Sequence, residues 1–405
     1  MEKNITPQIR FRGFSEPWAT NELSDISTIN PKTEVPDRFE YVDLESVVGT
    51  SLLGHRTENK ESAPSRAQRL ASKGDIFFQT VRPYQKNNFL FDMDDKNYVF
   101  STGYAQIRAD ISSHFLFNVL QREPFLKEVL NNCTGTSFPA INSNALGRIS
   151  VSYPNDITEQ HKIGDTLTNL DSVLIFKSKE LEKLVNMKTA CMEKMFPQQE
   201  ETKPQLRFKG FNDNWVPFKL GEVGKTFSSL SGKSKEDFGH GDARYVTYMN
   251  VFTNPVSDIK EIEPIEIDNS QNEVQYGDVF FTTSSETPNE VGMSSMWLGK
   301  DRNVYLNSFC FGYRFSIDFY PYFIAYLFRS PLFRERITLL AQGISRYNIS
   351  KNKAMDIVIL MPNSLVEQKK IGNYFRHLDE LIAAKRQEIE KLQDIKQSLL
   401  DKMFV

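Results

Sequence analysis

The chain has 405 residues, a net charge of -3 and 40% hydrophobic residues, enough for two domains of ordinary size with their own cores, and no apolar run approaches the ~20 residues a membrane helix needs. Three cysteines, Cys133, Cys191 and Cys310, are odd in number and lack C-x-x-C spacing, which argues against a disulfide framework and a zinc site and predicts reduced, buried thiols. The balanced total conceals local charge: Arg66, Arg69, Lys73, Arg82 and Lys86 stand against Asp75 alone in residues 66–91, and Arg329, Arg334, Arg336, Arg346, Lys351 and Lys353 stand against Glu335 in residues 326–354. Either cluster reads as a basic face or as ordinary solvated surface.

The N-terminal "MEKNITPQIR" has no apolar core that could act as a secretion signal, so a cytoplasmic protein is expected. Directly after it "PQIRFRGF" (7–14) opens a segment that begins again at "PQLRFKGF" (204–211). Trp18 and Trp215 are 197 residues apart, "GDIFFQT" and "GDVFFTT" 203, and from Phe115/Phe323 to Phe196/Phe404 the spacing holds at 208. The chain is thus a tandem repeat whose second copy gained about eleven residues in its first half. Between the matching blocks, residues 27–73 share little with their counterpart. A framework that repeats around an interior that does not suggests two similar modules with different readouts, the alternative being simple drift of a duplicated structural domain.

Within each copy, "DIFFQTV", "YAQIRAD", "RISVSYP", "DVFFTTS", "FGYRFSI" and "DIVILMP" read as strands. Short helices follow at "FLFNVL" and "EPFLKEVLNN", and at "YFIAYLF" and "SPLFRERITLLAQ", with Pro124 and Pro331 near the first turn of the second helix of each pair. The modules are therefore α+β with a largely antiparallel sheet. Each copy ends in about forty residues without an internal proline, 156–196 and 364–404. Asp156 with Glu159, and Ser364 with Glu367, are spaced as capping boxes. Ile163, Leu170, Lys177, Leu184 and Cys191 recur every seven residues, joined by Leu167, Leu174 and Leu181. The second helix repeats this with Ile371, Leu378, Lys385, Leu392 and Leu399, joined by Tyr374, Leu381, Ile395, Ile382 and Ile389. Two such stripes in one chain are natural partners, and antiparallel pairing is favoured because residues 207–362 must fit between the end of one helix and the start of the other. Lys177 and Lys385 either set the register of this seam or sit at a splayed, solvated point.

Catalytic motifs are missing: no Gly-x-Gly-x-x-Gly or Walker loop, no His-Glu-x-x-His, no Gly-x-Ser-x-Gly elbow, and no Asn/Asp-Pro-Pro-aromatic signature of an adenine methyltransferase. The five histidines are scattered. The sequence reads as that of a binding protein.

In order, the "RFRGF...W...L" and "RFKGF...W...LGEV" entries, the "P...EQ.KI" helix starts and the two "MF" helix ends resemble the specificity (S) subunit of type I restriction-modification systems over essentially the whole chain. Copy one departs at His161, where copy two has Lys369, and in "TGTSFPAINSNAL" against "QGISRYNISKNKA". The resemblance implies two tandem pseudo-symmetric target recognition domains, 1–155 and 207–362, separated by two long antiparallel coiled-coil helices, 156–196 and 363–405, with a linker at 197–206. It implies a non-catalytic subunit whose domains each read one half of a split, asymmetric double-stranded DNA site. The helices would set the spacer and dock two methyltransferase subunits, and motor-nuclease restriction subunits would complete the complex. S-adenosylmethionine, ATP and magnesium would belong to those partners, and no metal or cofactor is expected in this chain. A rod of forty residues, roughly 60 Å long, spans about 13 to 18 base pairs. A tandem protein scaffold that never touches DNA is the alternative.

Bases are read by Arg, Lys, Asn, Gln, Ser or Thr at groove edges. The candidates are Gln79, Thr80, Arg82, Tyr84 and Lys86 after the first "GD-x-FF" strand, and Thr282, Thr283, Ser284 and Ser285 after the second. The glycine loops add Thr136 and Ser137, and Ser345, Arg346, Tyr347, Asn348 and Lys351; Arg66 and Arg69 complete the set. Arg10, Arg12, Arg207 and Lys209 of the entry motifs are expected to brace the framework instead.

Overall fold

A computed structural model describes residues 6–135, 137–199 and 201–405. The chain forms two compact units, one of residues 1–178 with 387–405 and the other of residues 179–386. In the first, strands Ser27–Ile29, Tyr104–Ala109, Asp75–Gln79 and Phe89–Phe91 lie in that order in an antiparallel sheet. A second sheet runs Arg56–Asn59, Arg38–Val42, Tyr98–Ser101, Ala67–Leu70, with its central pair parallel. Asp75 ties the first sheet together. Its buried carboxylate accepts from the Ser72 amide, from Gln106 and from the fork of Arg108, so a charge in the core has its lone pairs satisfied. Helices Ser113–Leu120 and Glu123–Asn131 bury Phe115, Leu116, Phe125 and Val129 against Ile76, Phe78 and Ile107.

The second unit repeats this plan. Strands Gly224–Phe227, Cys310–Phe315, Val279–Thr282 and Ser294–Met296 form the antiparallel sheet, and Ile262–Ile265, Phe238–Val246 and Val304–Leu306 the other, again with a parallel pair. Asp278 and Arg314 stand where Asp75 and Arg108 do. The interiors that share little sequence therefore share the order of three strands, the first unit adding Ala67–Leu70 at one edge, and alternation of buried residues preserves that order while the residues themselves change. All six strands and four short helices read from the sequence are present.

Two 38-residue helices, Ile157–Lys194 and Leu365–Lys402, complete the fold. Among the described residues no helix is long and apolar enough to cross a membrane. The helices start where the sequence places them: Asp156 Oδ1 accepts the Thr158 amide and Ser364 Oγ the Glu367 amide. The second half of each expected capping box is absent, because the Glu159 and Glu367 carboxylates turn away to Arg10 and Arg207. Gln160 and Gln368 fold over the helix entrances, each donating to a carbonyl (Pro154, Pro362) and accepting an amide (Ser112, Tyr320). Four residues on, Gly164 and Gly372 let the long helix touch the backbone of its module. A Cβ there would lie 2.5 Å from the Phe115 nitrogen and 2.6 Å from that of Phe323.

In the first unit Asp171 pairs with Lys396 and Lys177 with Glu388; in the second Glu180 pairs with Lys385 and Lys188 with Asp379. As residue numbers rise along one helix they fall along the other, so within each unit the helices run antiparallel. Lys177 and Lys385 hold ion pairs across the seam, the register-setting alternative. The stripe of the second helix keeps Ile371, Leu378, Ile382 and Ile389 of the sequence reading and departs from it in one row. Phe375, Leu378, Ile382 and Ile389 are buried, whereas Leu381 and Ile395 are exposed, because the 4-3 spacing runs from Ile371 to Phe375 and not to Tyr374.

Each long helix ends with a Met-Phe pair. Met403 and Phe404 join the core of the first unit, Phe404 lying 6.2 Å from Trp18 and 5.4 Å from Phe115 between ring centroids. Met195 and Phe196 join that of the second, Phe196 lying 6.1 Å from Trp215 and 5.9 Å from Phe323. Each entry segment is stitched to the same helix end, the Ile9 amide donating to the Lys402 carbonyl and the Leu206 amide to that of Lys194. Cys191 and Cys310 are buried free thiols, but Cys133, just past the helix Glu123–Asn131, is only half-buried.

Candidate nucleic-acid interface

Arg10 and Arg207 of the entry motifs are framework. Arg10 donates from Nε and Nη2 to the two oxygens of Glu159 at 2.6 and 2.8 Å, and Arg207 does the same to Glu367. Charge-assisted forks of this kind fix direction as well as distance. Arg12 and Lys209, expected to brace the framework with them, are instead exposed.

In the first unit the structure brings two candidate loops together. Past the strand Asp75–Gln79, Arg82 adopts a left-handed conformation (φ 53°) and its amide donates to the Pro139 carbonyl. The Ile141 amide donates to the Thr80 carbonyl, and Val81 bridges Ala140. The loop after the strand and the glycine loop are thus one surface. Gln79 and Thr80 are buried beneath it: Gln79 bonds Asn88, Gln85 and Asn87, and the Thr80 hydroxyl donates to Gly103. Tyr84 and Ser137 are exposed, and Arg82 and Lys86 half-buried, Lys86 paired with Glu123. Thr136 lies outside the described residues. Arg66 is exposed, and its carbonyl accepts the Thr102 amide beside Gly103. Arg69 is half-buried, desolvation pushes its pKa down, and its Nε has no hydrogen-bond partner among the described residues.

The second unit builds the same surface. Ser284 and Ser285 pair with Asn348 and Tyr347, and the Ile349 amide donates to the Thr283 carbonyl. Thr282, Ser284 and Ser285 are buried; Thr282 accepts the Met293 amide, Thr283 donates to Phe309 and Ser285 to Glu290. Ser345, Arg346 and Asn348 are exposed, and Tyr347 and Lys351 half-buried.

The basic cluster of residues 326–354 divides. Arg329 donates to the carbonyls of Ser294, Val251, Phe252 and Asn254, and burial, with Arg334 adding to it, pushes its pKa down to about 9. Arg334 donates to Gly292, Asn289 and Val291, with burial pushing it down to about 10. Arg336 donates to Val358. These three arginines hold backbone together, which composition could not separate from a basic face. Sequence reasoning also missed Phe138. Its ring is 60% exposed with the Arg82 guanidinium 4.4 Å above it, and a phenylalanine before a proline gives no signal of exposure. No cluster of metal-binding side chains occurs among the described residues.

A family described as the type I restriction modification DNA specificity domain matches residues 15–186. The MjaVIII type I restriction enzyme specificity subunit of Methanocaldococcus jannaschii is 23% identical over 82% of this chain and 74% of its own length. The HindI type I restriction enzyme specificity subunit of Haemophilus influenzae is 27% identical over 38% of this chain and 35% of its own length. In fold, a type I restriction-modification S subunit from M. genitalium superimposes with a TM-score of 0.62 at 15% identity, covering 99% of both chains.

Proposed function

We propose that the chain is a specificity subunit of a type I restriction-modification system and that each of its units reads one half of a split, asymmetric DNA site. The observation that carries this reading is a shared frame with unlike exposed chemistry. The same order of strands in the antiparallel sheet, the buried Asp-Arg fork and the glycine loop recur, while the exposed side chains are Tyr84 and Phe138 in one unit and Arg346 and Asn348 in the other. Base edges discriminate through such groups, so unlike loops on like frames select unlike half-sites. Arg82, Lys86, Lys351, Arg66 and Arg69 supply phosphate contacts around them.

The long helices set the separation of the half-sites and receive two methyltransferase subunits. Thirty-eight residues at ~1.5 Å each make a ruler of roughly 57 Å, about 17 base pairs. Exposed apolar side chains occur at equivalent places on the two helices, Val173 with Leu381 and Met187 with Ile395, as two copies of one partner would require. Methylation and cleavage belong to the partner subunits, with their S-adenosylmethionine, ATP and magnesium.

Reconstitution with the methyltransferase subunits tests the reading. Adenine methylation confined to one split sequence, with DNA affinity falling steeply as salt rises, supports it. Methylation by the partner that is the same with and without this chain refutes it.

A further inference from the structure

Of the four arginines in residues 326–354, Arg329, Arg334 and Arg336 donate to backbone carbonyls. Arg346 is different: its side chain has no hydrogen-bond or ion-pair partner among the described residues, and it is exposed. The loop that carries it is nevertheless firmly built. Gln342 and Asn348 exchange both backbone hydrogen bonds at 2.9 Å, and Asn348 and Tyr347 continue into pairing with Ser284 and Ser285. Gly343 turns the chain at φ +137°, where a Cβ would lie 2.0 Å from the Arg346 carbonyl oxygen. A guanidinium is therefore held out on a closed loop whose backbone has little freedom left, the pre-organisation that a geometrically specific contact needs.

The first unit carries the same loop. Thr134 and Ala140 exchange both backbone bonds, and Gly135 turns at φ +89° beneath the Phe138 carbonyl. By the spacing of 208 that relates the copies here, Phe138 occupies the place of Arg346. One structural position thus offers five N–H donors in a planar fork in one unit and an aromatic ring, covered on one face by Arg82, in the other.

We propose that this loop position selects a base in each half-site, and that Arg346 selects guanine. Of the groups on the edges of duplex DNA, guanine O6 and N7 are the pair of acceptors that a guanidinium fork meets two at a time. Phe138 has no donor, so the corresponding contact of the first unit is apolar and does not select guanine. This assignment rests on the DNA-recognition reading above and adds to it a named residue and a named base.

The test is the adenine methylation pattern of chromosomal DNA in cells carrying the complete system with wild-type chain, Arg346→Ala or Arg346→Gln. With Arg346→Ala the split motif persists, but discrimination at one guanine falls on the order of ten- to a hundredfold. Arg346→Gln moves the preference at that base toward adenine, which a glutamine amide meets in the same two-point way. Melting temperatures of both purified variants match wild type, because an exposed guanidinium without a partner holds nothing together. An unaltered motif in Arg346→Ala overturns the proposal and leaves the recognition reading standing. Equal loss at every site in both variants overturns it too, since that is the behaviour of a phosphate contact, as does lowered melting. A wild-type chain with no split motif removes the recognition reading and this proposal with it.

Discussion

Replacing Arg10 with alanine probes the fork that anchors the entry motif to the first long helix. Glu159 has no solvent-exposed side-chain surface and Arg10 is 13% exposed, so the truncation leaves a carboxylate buried without its cation. Breaking a buried pair in this way costs roughly 3–5 kcal/mol. The lower end applies here, because Arg10 sits at the edge of the unit and water can enter the space it leaves. A unit of this size loses about 2–4 °C per kcal/mol, so Arg10→Ala melts roughly 6–12 °C below wild type in scanning calorimetry. Arg12→Ala, at an exposed position, changes stability by less than about 0.5 kcal/mol. The double variant Arg10→Met with Glu159→Leu recovers most of the loss, since an apolar pair leaves no stranded charge. Well below its melting point, a complex assembled with Arg10→Ala methylates the same motif as one with the wild-type chain. A melting temperature within about a degree of wild type would refute the argument that this pair holds the module to its helix.

Phe404→Ala removes a ring from the core of the first unit and lowers its stability by roughly 3–5 kcal/mol, while Phe196→Ala does the same to the second; unfolding of each unit followed by hydrogen exchange separates the two effects, and losses in the opposite units contradict the assignment of the helix ends. Arg334→Ala leaves three carbonyls without their donor and destabilises the second unit by at least about 2 kcal/mol, read as a shift in denaturation midpoint, whereas a purely electrostatic role would lower DNA affinity at unchanged stability. Deleting one heptad from each long helix, Glu180 to Asn186 and Glu388 to Asp394, shortens the rod by about 10 Å, about three base pairs; methylome sequencing then finds a shorter spacer or no activity, and an unchanged spacer shows that the helices are not the ruler.

What could be read from the sequence was what packing repeats. Trp18 and Trp215, Phe115 and Phe323, and the Met-Phe helix ends recur because each fills the same hole in a core, and an identical hole tolerates little change. Roles that depend on where a side chain turns were not legible. Glu159 stands at the right spacing for a capping box, yet its carboxylate goes to Arg10, 149 positions away, and the helix pattern alone cannot distinguish the two destinations. One row of the second helix, Leu381 and Ile395, falls outside the seam because Tyr374 and Phe375 are adjacent aromatics and either satisfies a seven-residue repeat. Common strand order in the variable interiors was hidden because a pairing register constrains alternation and leaves residue identity free. At the candidate surface, charge counts pooled Arg346 with Arg329, Arg334 and Arg336, and only their hydrogen bonds separate the free guanidinium from those that hold the backbone.

A specificity subunit that reads two half-sites would direct adenine methylation to one split sequence. Methylome sequencing of cells with the gene intact and with it deleted, both expressing the methyltransferase partner, measures this directly. One asymmetric two-part adenine motif is expected, fully methylated in the first and unmethylated in the second. The same set of methylated motifs in both strains would contradict it.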